Sequence, residues 1–113
     1  MDWKQRFQQE LRDAMRAQDE PRVNVIRMVM AALEKAQEEK GKQAFEDASN
    51  PDGADILADR EQSLSGETIR EIIHAELEHR REAVDVLRNG GQNERAESEE
   101  GEIAILEQYL RTI

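Results

Sequence analysis

Two adjacent arginines, Arg80 and Arg81, with Arg88 further along the same stretch, are the side chains best suited to chemistry in this 113-residue chain. Guanidinium groups grip phosphate oxygens through paired N–H donors, and several along one helix would track a nucleic-acid backbone. The same residues have a second use. Glu76, Glu78 and Glu82 stand on neighbouring helical turns, where arginine–glutamate pairs are ordinary helix stabilisation. A second set, Arg22 and Arg27, flanks the first turns of another helix. With Lys4, Arg12 and Arg16 it forms the least acidic surface of the chain, which suits either a docking face for RNA or an acidic partner, or a solvated helix face. Arg22, Arg27, Arg80 and Arg81 are therefore the candidate nucleic-acid-binding residues.

Other chemistries find less to work with. His74 and His79 are five apart and point to different sides of a helix, not the four-residue spacing that aims two histidines at one metal. Glu38-Glu39 and Glu99-Glu100 are sequence neighbours and diverge on a helix, which does not make an acid–base pair. There is no cysteine, which rules out a disulfide framework or a thiolate metal site. With no glycine-rich phosphate loop and no nucleophile–base pairing, the residues point to a binding domain with no cofactor and no metal rather than to an enzyme.

The net charge of −10 opposes strong non-specific binding to nucleic acid, which needs several cationic phosphate contacts. The imbalance is uneven: residues 1–42 hold nine Lys/Arg against eight Asp/Glu, residues 43–66 one against six, and residues 90–113 two against six. A partner preferring the first two helices is compatible with that distribution.

These residues must be positioned by helices. Charged residues make up 37% and aromatics 4%, so the core falls to Ile, Leu, Val, Met and Ala, a composition that favours helices over sheets. Trp3, Phe7, Leu11, Ala14 and Met15 predict one apolar stripe on a helix from Asp2 to Gln18. Asp19-Glu20-Pro21 stops it and restarts a second from Pro21 to about Lys40. Val23, Ile26, Met30, Leu33 and Ala36, widened by Val25, Val29 and Ala32, predict a helix that packs on two sides, with Met28 and Met30 as core filler. From Gly41 to Ser65 the period collapses around Asn50-Pro51-Asp52-Gly53, which reads as a mobile acidic loop or insertion.

Ser65 caps a third helix, whose buried stripe of Ile69, Ile72, Ile73, Leu77, Val84 and Leu87 includes Arg80. Asn89-Gly90-Gly91 ends it. A fourth runs from Gln92 to Arg111, polar at first and then apolar at Ile103, Leu106, Tyr109 and Leu110. The expectation is all-α: a single domain over residues 1–113, a bundle of about four antiparallel helices. The chain shows neither a secretory leader nor a membrane span, so the expected location is cytoplasmic.

Three segments carry a family resemblance: PRVNVIRM at 21–28 followed by Ala31-Ala32-Leu33, EHRREA at 78–83, and EEGEIAILEQYL at 99–110. In order and spacing they resemble the YqeY-like family, related to the C-terminal tail of the B subunit of aspartyl/glutamyl-tRNA amidotransferase. The resemblance implies an accessory role in tRNA-dependent amidation, with tRNA or a tRNA-processing enzyme as partner. The family's amidotransferase-type ligase label finds no catalytic residues here. Residues 41–63 read as an insertion, and the expectation from the family pattern is that its second C-terminal helical domain is missing after Tyr109-Leu110. The alternative is a protein-interaction or self-association module with no nucleic-acid role.

Overall fold

Trp3 and Phe7, one turn apart, place their rings on one side of α1 (Trp3–Arg16), where both are buried with Ala14. The computed structural model describes residues 3–47 and 64–113. Met15, expected on this stripe, is 52% exposed instead. The reason is angular: each four-residue step advances about 40° round a helix, so Trp3, Phe7, Leu11 and Met15 drift steadily away from the core. Ala14 takes the central position.

The chain reverses at Gln18, which adopts φ 56°. Asp19 then caps α2 (Glu20–Asp47), its carboxylate accepting from the Arg22 backbone N–H at 3.3 Å. Pro21 is accordingly the second helical residue, where its missing N–H costs nothing. Val25, Ile26, Val29 and Leu33 are fully buried along α2. Met28, expected in the core, is 47% exposed, whereas Met30 packs against it.

The helix also runs seven residues beyond Lys40, through Gly41. One glycine costs about 1 kcal/mol, which good helix formers on either side and the four-residue spacing of Glu38 and Lys42 offset. The loop expected over residues 41–65 is thus helical at its start, and its stretch at 48–63 lies outside the described residues.

Ser65 caps α3 (Gly66–Asn89), its hydroxyl accepting from Thr68 N at 3.1 Å. Ile69, Ile73, Leu77 and Val84 are buried on one face, and Arg80 with them. Gly91, at φ 77°, makes the turn into α4 (Asn93–Thr112). There Ala96, Ile103, Leu106 and Tyr109 are buried, so the half of α4 that reads as polar still contributes one core residue.

Among the described residues the structure is all-α, as the composition and periodicity imply. It forms two antiparallel hairpins. In α1–α2, Lys4 lies beside Gln37 and Glu38 while Met15 lies beside Val23 and Asn24. In α3–α4, Arg70 donates to the carbonyls of Leu110 and Ile113, and Arg88 reaches Glu100. The long α2 touches all three other helices. Phe7 closes the remaining gap, its ring edge-on to Tyr109 at 5.3 Å between centroids.

Candidate functional site

Arg80 sits on the buried face of α3 between Leu77 and Val84 and is only 4% exposed. An arginine there must bring its counter-charges inside with it. Three carboxylates supply them. Nε donates to Glu76 at 3.3 Å, and Nη1 donates to Glu99 at 3.3 Å and to Glu102 at 2.7 Å. Nη2 faces the sulfur of Met28. Glu76 lies four residues away on the same helix, a spacing visible in the sequence. Glu99 and Glu102 come from α4. Their signal was the turn at Gly90-Gly91: Arg80 and Glu102 stand almost equally far from it on either side, so an antiparallel hairpin brings them level.

The other three candidates are placed apart from one another. Arg81 is exposed on α3, with Nη1 2.6 Å from Glu78 and Nη2 3.7 Å from Glu107. Arg22 ties the start of α2 to the end of α4. It pairs with Asp19 at 3.3 Å and donates to Gln108 at 3.0 Å and to the Tyr109 hydroxyl at 3.5 Å. Burial works against the Arg22 charge, but Tyr109 and Asp19 outweigh it and its pKa is raised. Burial also pushes the Tyr109 phenol above its ordinary value near 10, helped by the Glu10 carboxylate and opposed by Arg22. Arg27 differs: it is exposed and has no ion pair or hydrogen bond among the described residues.

Arg27 and Arg80 do share one hollow of about 470 Å³, with Asn24, Met28, His79 and Ala83 around its rim. Asn24 and Arg27 also line a second hollow, bordered by Met15 and Val23. On the other side Glu99 and Glu102 also line a third, beside Leu87 and Arg95. The three adjoining hollows make an open trough along α2, α3 and α4, with the end of α1 at one edge. Two of the three exposed large apolar residues among those described, Met15 and Met28, lie in it. Sequence reading missed this because both methionines fall on apolar stripes, and only the packing of neighbouring helices decides which edge stays open.

Among the described residues no group of acidic, histidine or cysteine side chains is arranged to hold a metal ion. No helix among them is long and apolar enough to cross a membrane. A family model for Yqey-like proteins matches residues 4–112, nearly the whole chain. The chain belongs to the YqeY-like family. The match extends over all four helices, so the Arg80 cluster and the trough both lie inside the YqeY-like domain. A search among curated proteins finds no match to it.

Proposed function

We propose that this YqeY-like domain is a non-catalytic accessory domain of tRNA-dependent amidation, acting by docking onto an enzyme that handles the tRNA. Family membership and the resemblance to the tail of the amidotransferase B subunit support the pathway. One observation favours a protein partner over the tRNA backbone. Arg22, Arg80 and Arg81 are already engaged by Asp19, Glu76, Glu78, Glu99, Glu102 and Glu107, while a trough with two exposed methionines stands open beside them. Phosphate would have to displace those carboxylates in a chain of net charge −10.

The test is sedimentation of the domain with aspartyl/glutamyl-tRNA amidotransferase and, separately, with bulk tRNA at about 50 and about 200 mM salt. Co-sedimentation with the enzyme at both salts supports the proposal. Tight tRNA binding that collapses with salt overturns it in favour of a second reading, direct contact with tRNA. Arg27 favours that second reading, being open at the same end of the molecule as the exposed Arg12 and Arg16. Charge reversal at Arg27 would then abolish the binding, and reversal at Arg81 would weaken it less.

A further inference from the structure

We infer that the trough takes a basic amphipathic helix of the partner, an inference that rests on the docking reading above. Three observations carry it. The first is the apolar content: Met15 and Met28 are about half exposed at successive points along the trough, with Val23 and Ala83 beside them and Leu87 in the third hollow. Methionine is flexible and polarisable, and suits surfaces that must mould around a partner helix.

The second is charge. The lining carboxylates are Glu20, Glu76, Glu94, Glu99 and Glu102, against Arg27, Arg80 and Arg95. Arg80 is enclosed by three of those carboxylates and cannot neutralise them all, so the trough keeps a negative balance. A lysine or arginine on the incoming helix would complete the set beside Glu99 and Glu102. His79, exposed on the rim, bears no carboxylate contact that would close the entrance.

The third is length. The trough follows α2 from Glu20 to Met28 and then α4 from Glu102 back to Glu94. Each stretch is about 12 Å at 1.5 Å per residue, so together they match a helix of roughly 16 residues. Its apolar side chains would enter at Met15 and Met28, and Arg27, where those two hollows meet, would select an acidic residue between them.

The probe is a Leu/Lys amphipathic helical peptide of about that length, with its Leu/Glu counterpart as control. The readout is the methyl resonances of methyl-labelled methionine, with Met30, packed against the core, as internal reference. The expected result is selective movement of Met15 and Met28 with the Leu/Lys peptide and none with the Leu/Glu peptide. Met15→Glu on the exposed face of α1 then weakens binding about tenfold. This substitution separates the trough from mere attraction to an acidic protein, because added negative charge would strengthen non-specific binding.

Unchanged or tighter binding by Met15→Glu overturns the inference. So does movement of Met15 with protein concentration alone, which would make a second copy the occupant. Enzyme co-sedimentation that survives Met15→Glu sinks this inference and leaves the proposed function standing. Peptide binding without enzyme binding does the reverse.

Discussion

At the scale of single residues, Arg80 and Arg81 show how neighbours of the same type come to have different weight. Arg80→Ala removes the counter-charge from three carboxylates, two of them largely buried, and should cost about 3–5 kcal/mol in denaturant unfolding. Arg81→Ala breaks exposed pairs only and should cost no more than about 1 kcal/mol. Equal effects would contradict the burial difference. Tyr109 supplies a pH prediction. Its folded-state pKa lies above the unfolded value near 10, so the stability it contributes is complete below that pH. It is lost as the pH climbs through the raised value. Tyr109 is the only tyrosine in the chain, so phenolate absorbance reads it directly and should show a midpoint above 10. Glu10→Gln should bring that midpoint down, because the Glu10 charge disfavours the phenolate.

Helices were the most legible elements, and the reason lies in their stripes. Ile69, Ile73, Leu77 and Val84 repeat at three and four, and Ser65 and Gly90-Gly91 punctuate them, so α3 could be read almost to its ends. The end of α2 could not, because glycine weakens a helix without forbidding it. The two kinds of glycine in α4 and its turn make this measurable. A methyl group at Gly101 would meet nothing within 4 Å, so Gly101→Ala should stabilise the protein by about 1 kcal/mol and raise its melting temperature by several degrees. Gly91 also has open space, but its φ of 77° strains any other residue, and Gly91→Ala should destabilise by about 1 kcal/mol. Thermal melts of the two variants should move in opposite directions.

For the whole molecule, composition anticipated a helical domain, and its net charge of −10 argued against strong non-specific binding to nucleic acid. Arg80 and Arg81 pair with Glu76 and Glu78 at spacings visible in the sequence, but Glu99, Glu102 and Glu107 reach them from another helix, which no periodicity within one helix can reveal. The trough was hidden for a related reason: whether Met15 and Met28 are covered depends on how far neighbouring helices extend over them. Arg27 was the candidate whose surroundings in sequence, free of a carboxylate at three or four residues, matched its open setting in the fold. Reversing its charge should therefore change partner binding with little effect on melting, as surface substitutions generally do. A large loss of stability in Arg27→Glu would show that its side chain has structural partners.

The carboxylate clasp around Arg80 also bears on the order in which the chain acquires its shape. Glu76, Arg80, Glu99 and Glu102 all belong to the second hairpin, and no two are more than 26 residues apart. Phe7 and Tyr109 are separated by almost the full length of the chain, and their contact closes the largest loop. Local pairs form ahead of distant ones when loop closure dominates the barrier. The second hairpin is thus the natural nucleus, and the first closes over it. Loss of Arg80 would then slow refolding, whereas Phe7→Leu would chiefly hasten unfolding, a division that stopped-flow measurements following Trp3 fluorescence can read.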